Sequence, residues 1–230
     1  ISRALLGKDH QIRLALCCIF SGGHLLVEDL PGMGKTTLSY ALAKALGLEH
    51  NRIQFTSDLL PADILGIYIF DQASSRFTFH PGPIFNQVVL ADEINRTTPK
   101  TQSALLEAME ERQVTVEGET RKLPDPFFVI ATQNPVNLAG TYPLPESQLD
   151  RFLMRLRLGY PDQRAERELL EMDTEWDKVE NVNQCLGIDD VIGFRQQSAK
   201  ATASGSLLDY VQRLIAYTRG KNEFHFGLSP

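Results

Sequence analysis

The stretch Asp29-Leu30-Pro31-Gly32-Met33-Gly34-Lys35-Thr36-Thr37 limits what this chain can fold into more than any other. It follows a short apolar run, His24-Leu25-Leu26-Val27, of the kind that forms a strand buried on both faces. It opens the segment Thr36 to Leu46, where Leu38, Ala41, Leu42 and Ala45 recur at helical spacing and Gly47 supplies the stop. Strand, glycine loop and helix in that order make the first half of a βαβ unit, which points to an α/β fold. Several backbone N–H groups converge on one phosphate only if the chain curls tightly, and glycine permits that curl without a Cβ clash. The helix N-terminus adds its dipole. In such a loop Lys35 offers a point charge to terminal phosphates and the Thr36 hydroxyl ligates Mg²⁺. The residues expected to hold the phosphates are Pro31, Gly32, Met33, Gly34, Lys35, Thr36 and Thr37. The pattern G-x-x-x-x-G-K-[ST] has glycine where this chain has Asp29. Asp tolerates left-handed backbone, so the turn is allowed, but its carboxylate has to point away from the phosphates.

The same alternation continues downstream. Gln11 to Phe20 has helical apolar spacing and ends at Gly22-Gly23. Arg52-Ile53-Gln54-Phe55, Val88–Ala91, Phe127–Ala131 and Phe152–Leu158 read as strands, and Thr98-Pro99 opens a helix through Glu111. Two hairpins are expected, one of Ile67–Phe70 with Phe77–Phe79 and one of Val114–Val116 with Thr120–Leu123. After Tyr160-Pro161-Asp162 the strand signals stop, and Arg164–Glu175, Asp189–Lys200 and Leu207–Thr218 read as helices. The natural cut is therefore an α/β domain over 1–160 and a small helical domain over 161–230.

Two strands end in polar clusters. Asp92-Glu93 closes the apolar run from Val88, where carboxylates emerge at the rim of a parallel sheet. There Asp92 is placed to hold Mg²⁺, and Glu93 to polarise a water for attack on a γ-phosphate. An acidic pair at a strand end is otherwise a helix cap; the upstream phosphate loop tips the reading toward chemistry. Thr132-Gln133-Asn134 closes the next buried run, and Asn134 is placed to bridge an attacking water and the γ-phosphate, although Asn-Pro is also an ordinary turn opener. Arg151 and Arg155 stand four apart beside a strand. Each is either a paired surface arginine or a guanidinium offered to a γ-phosphate, and spacing does not separate the two.

Charge and cysteine usage narrow the remaining classes. The 230 residues carry 23 basic and 29 acidic side chains, a net −6, which argues against a chain whose main work is coating nucleic acid or an anionic membrane. Cys17 and Cys18 are adjacent and Cys185 is remote, and the five histidines lack ligand spacing. A disulfide framework and a structural zinc are not expected, and a reducing compartment fits. The longest apolar run, Leu14–Phe20, is far short of a membrane span. Ile1-Ser2-Arg3 lacks an initiator Met and a signal-peptide pattern, so a fragment boundary is expected there.

Taken in order, the phosphate loop, Ala91-Asp92-Glu93-Ile94-Asn95-Arg96, the run from Lys100 to Glu111, Ala131–Pro135 and Gln148–Phe152 resemble the MoxR family of AAA+ ATPases, from about Leu6-Gly7 to the last residue. The resemblance implies a P-loop NTPase core of three αβα layers around a five-stranded parallel sheet, a small all-α lid, and ATP with Mg²⁺ bound between subunits of a ring, typically a hexamer. Lys35 and Thr36 match Walker A, Asp92 and Glu93 match Walker B, and Asn134 matches sensor 1. Arg151 matches the arginine offered to the neighbouring subunit's nucleotide, with Arg155 the second candidate. The hairpins match insertions that face a ring's pore or a partner, by analogy only. Gly227-Leu228-Ser229-Pro230 is similar to the family's Gly-Ala-Ser-Pro-Arg segment, so the sensor 2 arginine is expected beyond Pro230 and the lid is expected to be truncated.

The family further implies a cytoplasmic chaperone-like remodeller that matures or assembles protein complexes, metal-cofactor insertion included, acting on a client protein alongside partners with von Willebrand A-type domains. Two other functions stay open at this stage. One is a nucleotide-gated oligomeric binding module with little turnover. The other is a nucleic-acid motor, disfavoured because Arg76, Arg121 and Lys122 of the hairpins are offset by Asp71, Glu117 and Glu119.

Overall fold

The computed structural model describes residues 1–73, 75–135, 140–171, 179–220 and 227. Helix α1 (Asp9–Phe20) precedes β1 (Leu25–Glu28), and α2 (Lys35–Ala45) follows the glycine loop. Then come β2 (His50–Gln54), α3 (Pro61–Leu65), the hairpin β3 (Gly66–Asp71) with β4 (Arg76–Pro81), and β5 (Val88–Asp92). A short 3₁₀ turn (Ile94–Arg96) leads into α4 (Pro99–Glu111), a second hairpin of β6 (Gln113–Val116) and β7 (Glu119–Lys122), and β8 (Phe128–Gln133). The rest is α5 (Glu146–Leu149), β9 (Met154–Leu156), α6 (Gln163–Leu170), α7 (Ile188–Ser198) and α8 (Gly205–Gly220).

Five strands form one parallel sheet in the order β2-β5-β8-β1-β9. The reason is legible in the side chains, which alternate between two buried faces rather than between core and water. Leu25, Val27, Val88, Leu90, Phe128 and Ile130 face a cluster with Ile12, Ile19, Leu38 and Leu42 of α1 and α2. Leu26, Val89, Ala91, Val129 and Ala131 face a second cluster with Leu105, Leu106 and Met109 of α4. Each buried Leu, Ile or Phe contributes on the order of 1.5–3 kcal/mol, so the two clusters hold the sheet in place as the middle of three layers.

Most boundaries fall within a few residues of the sequence expectation, and three of the differences have a visible basis. β8 runs two residues further, to Gln133, because Thr132 and Gln133 pair with Val27 and Glu28 of β1. β9 is only Met154–Leu156, since it has a single neighbour, β1, at the sheet edge. α6 is assigned to Leu170; the part of the expected helix from 172 to 175, like Leu228-Ser229-Pro230, lies outside the described residues. By proximity the chain divides into two compact units, Ile1–Arg195 and Gln196–Pro230. Within the first, α6 is capped by Asp162, whose Oδ1 accepts the Ala165 N–H at 2.8 Å. In the second, α8 is a helix of 16 residues. Among the described residues, no helix is long and apolar enough to cross a membrane.

Candidate nucleotide and catalytic site

Parallel strands deliver their C-terminal ends to one rim, and this sheet delivers polar residues there. Glu28 pairs with Gln133 across β1 and β8, and Gln54 pairs with Asp92 across β2 and β5. The glycine loop starts from the same rim. Gly34, the residue before α2, has φ 83°, and a Cβ there would come within 2.7 Å of Leu5 Cδ1. The positive φ favours glycine, and a Cβ would also displace the tip of Leu5, so backbone freedom is what fixes the loop's last turn.

A cavity of about 530 Å³ lies at this rim. Pro31, Gly32, Gly34, Lys35, Thr36 and Thr37 line it from the loop, and Asp92 and Glu93 line it from β5. The sheet therefore brings together residues that lie about sixty positions apart in the chain. The loop's remaining expected member, Met33, lines an adjoining cavity of about 240 Å³ with Leu5, Lys8, Gly159, Pro161 and Leu169. Asn134 follows the end of β8, and its backbone carbonyl accepts the Asn95 side-chain amide at 3.3 Å.

The acidic pair is tightly held. Thr132 Oγ1 donates to Asp92 Oδ1 at 2.6 Å and accepts the Glu93 N–H at 2.9 Å, so one buried hydroxyl sets both residues. Glu93 has left-handed backbone, φ 57° and ψ 48°, which turns its side chain out of the strand direction. Holding a non-glycine residue there costs on the order of 1–3 kcal/mol, and the Thr132 bond is part of what offsets it. Arg52 Nη2 lies 2.6 Å from Asp92 Oδ2. Gln54 Nε2 and Arg96 Nη1 both donate to Glu93 Oε2, at 3.1 and 2.9 Å. Arg52 and Arg96 are each about half exposed, whereas the Asp92 and Glu93 side chains that they meet are 11% and 24% exposed.

Buried Gln102 reinforces the turn after Glu93. Its amide donates to the carbonyls of Ile94 at 3.1 Å and Tyr142 at 2.9 Å, stitching the 94–97 turn to the segment that follows β8. Lys35 Nζ donates to the loop carbonyls of Asp29 at 2.8 Å and Leu30 at 3.0 Å. Burial lowers its pKa, and the charges of Asp92, Asp29 and Glu93 oppose that shift. A phosphate would give this ammonium a stronger acceptor than two neutral carbonyls.

The arginines lie elsewhere. Arg151 pairs with Glu110 at the end of α4, and Arg155 of the edge strand β9 pairs with buried Glu28, which also accepts from Gln133. Neither lines the cavity that holds Lys35 and Glu93. The sequence reading gives no site role to Arg52, Gln54, Thr132 or Gln102. The first two carried a signal, since polar 52 and 54 alternate with apolar 53 and 55 toward the rim. Thr132 stood in a polar strand end and Gln102 in the run from Lys100 to Glu111, but their contacts were not legible, because each acts through a strand or segment remote in sequence.

A metal is accommodated by the donor set. Mg²⁺ keeps several waters and takes one or two carboxylates plus phosphate oxygens, and here a hydroxyl, Thr36, and a carboxylate, Asp92, line the same cavity. Both Asp92 oxygens accept hydrogen bonds yet keep lone pairs for a cation or its waters.

Comparison with known proteins places the chain in a family. A family model described as "ATPase family associated with various cellular activities (AAA)" matches residues 24–154. The chain is 47% identical over its full length to the uncharacterized protein YeaC of Bacillus subtilis, spanning 72% of it. It is 40% identical over its full length to Chaperone MoxR1 of Mycobacterium tuberculosis, spanning 63% of that protein. A crystal structure of a candidate ATPase from Cytophaga hutchinsonii superposes with a TM-score of 0.83 at 42% identity, over 95% of this chain and 66% of the other.

Proposed function

Because the chain belongs to the AAA family of ATPases and is of the MoxR type within it, we propose that it binds ATP across the two rim cavities and hydrolyses it to drive the remodelling of a client protein. One observation carries the reading. The glycine loop at the N-terminus of α2, Lys35 and Thr36 included, and the Asp92-Glu93 pair at the end of β5 line a single cavity.

The triphosphate occupies the larger cavity, where loop N–H groups and the α2 dipole meet its charge. Lys35 leaves the Asp29 and Leu30 carbonyls for the terminal phosphates. Thr36 and Asp92 would hold Mg²⁺, which when bound would supply positive charge to the phosphate oxygens. Glu93, released from Gln54 and Arg96, accepts the proton of the attacking water, and Asn134 orients that water. The nucleoside occupies the smaller cavity beside Met33 and Lys8. Arg151 or Arg155 serves a neighbouring subunit's nucleotide in a ring, since neither lines its own chain's cavity. Residues from 161 onward act as the lid, and the protein works in the cytoplasm. The client belongs to a protein complex under assembly, with a metal-cofactor enzyme or a von Willebrand A-type partner as the family-based expectation.

Glu93→Gln tests the central step. Phosphate release is expected to fall to background while ATP affinity stays within about twofold, because the amide keeps the shape and loses the base. Turnover that survives the change removes Glu93 as the base. The grip of Gln54 and Arg96 on Glu93 also favours a second reading, an ATP-gated assembly module with little turnover. Light scattering with and without ATP, alongside phosphate release, separates the two: assembly without hydrolysis selects the second.

A further inference from the structure

We propose that Asp29 and Lys8 clamp residue Gly159 between them, making Asp29 a positioning residue for the nucleoside half of the nucleotide rather than for its phosphates. The inference rests on ATP being the ligand.

Asp29 stands where the phosphate-loop pattern has glycine, and both oxygens of its carboxylate accept backbone hydrogen bonds. Oδ1 accepts the Leu30 N–H at 3.0 Å, and Oδ2 accepts the Gly159 N–H at 2.6 Å. From the opposite side, Lys8 Nζ donates to the carbonyls of Gly159 at 2.9 Å and Tyr160 at 2.7 Å. One residue is thus held at its N–H by an anion and at its C=O by a cation. Both partners are remote in sequence, 130 positions away for Asp29 and 151 for Lys8. Charged partners make the stronger class of hydrogen bond, so the grip is firm at both ends. Gly159 has φ 66° with no atom within 4 Å of where a Cβ would stand, so glycine is needed there for backbone conformation, not for space.

Lys8 is only 5% exposed. Burial lowers its pKa, and the charges of Asp29 and Asp162 oppose that. Asp29 is thus the leading counter-charge of the cation that shares its target.

The placement decides what the clamp controls. Gly159 and Lys8 line the smaller cavity, whereas Asp29 belongs to the loop that lines the larger one. Through Gly159 the carboxylate ties the phosphate-binding rim to the wall against which a base would rest. A glycine at 29 would leave the phosphate loop able to turn and would leave that wall untied.

Affinity for Mg²⁺–ATP and for Mg²⁺–tripolyphosphate, which lacks a nucleoside, tests this by calorimetry on the purified protein. In Asp29→Gly, ATP affinity is expected to fall about tenfold while tripolyphosphate affinity stays within about twofold. Asp29→Asn, which keeps an acceptor for the Gly159 N–H, recovers most of the ATP affinity. Adding Lys8→Met to Asp29→Gly costs little more than either change alone, because both act through one residue, Gly159. An equal loss for both ligands would make Asp29 a phosphate-loop residue, and an unchanged ratio in folded Asp29→Gly and Asp29→Asn would remove the clamp. Wild-type protein that binds tripolyphosphate and ATP equally well overturns both this proposal and the nucleoside site it rests on.

Discussion

Single hydrogen bonds set the chemistry at the rim. Thr132 is the clearest case, since one hydroxyl orients Asp92 and holds the left-handed turn of Glu93. Thr132→Val removes the donor and acceptor while keeping volume. Phosphate release is expected to drop about 100-fold, the scale of a misplacement near 1 Å, with KM for ATP changing far less. Thr132→Ser keeps the hydroxyl and should return most of the rate; a Val variant with wild-type turnover would show that the bond positions nothing. Asp29 teaches the complementary lesson. The sequence requires its carboxylate to avoid the phosphates, and the structure gives that carboxylate two N–H partners, one of them across the fold at Gly159.

Among the elements, the two hairpins are joined rather than independent. Arg121 of β7 stacks over the ring of Phe79 in β4, 4.3 Å from guanidinium to centroid. It donates to Tyr68 Oη at 2.9 Å, and Tyr68 in turn donates to Glu119 at 2.5 Å. Beyond this join the aromatic pair Phe70–Phe77 is left exposed at the outer end of the first hairpin. Arg121→Ala is expected to speed amide hydrogen exchange in both hairpins together while leaving β1, β5 and β8 protected. Faster exchange confined to β6 and β7 would mean that the hairpins move separately. Sequence spacing gives each hairpin by its own turn but is silent on the join, because Tyr68 and Arg121 lie 53 positions apart.

For the molecule as a whole, the sheet's buried base adds a pH dependence. His24 sits at the start of β1, with Nδ1 accepting the Val129 N–H at 3.0 Å and Nε2 facing the Met109 carbonyl at 3.3 Å. Burial pushes its pKa down to about 4 from 6.5. The unfolded chain therefore binds a proton before the folded one does. The stability this residue contributes is complete above pH 6.5 and is lost as pH falls toward 4, by about 3 kcal/mol in all. The urea midpoint measured from pH 7 to 4 should fall accordingly, and His24→Gln should flatten that slope by up to one proton, whatever its effect on the midpoint at pH 7. An unaltered slope would place the titration elsewhere. The sequence by itself determined what is written in contiguous backbone: the glycine loop, the apolar strands, the amphipathic helices and the acidic residues at a strand end. Each of these follows from local conformation and from which faces must leave water. Tertiary structure alone decided which strands are neighbours, and hence that Arg52 and Gln54 of β2 and Thr132 of β8 flank the Asp92-Glu93 pair of β5. It also decided that Asp29 grips Gly159. Those contacts depend on strand order and register, and the order is set by packing two buried faces at once, which no single segment specifies.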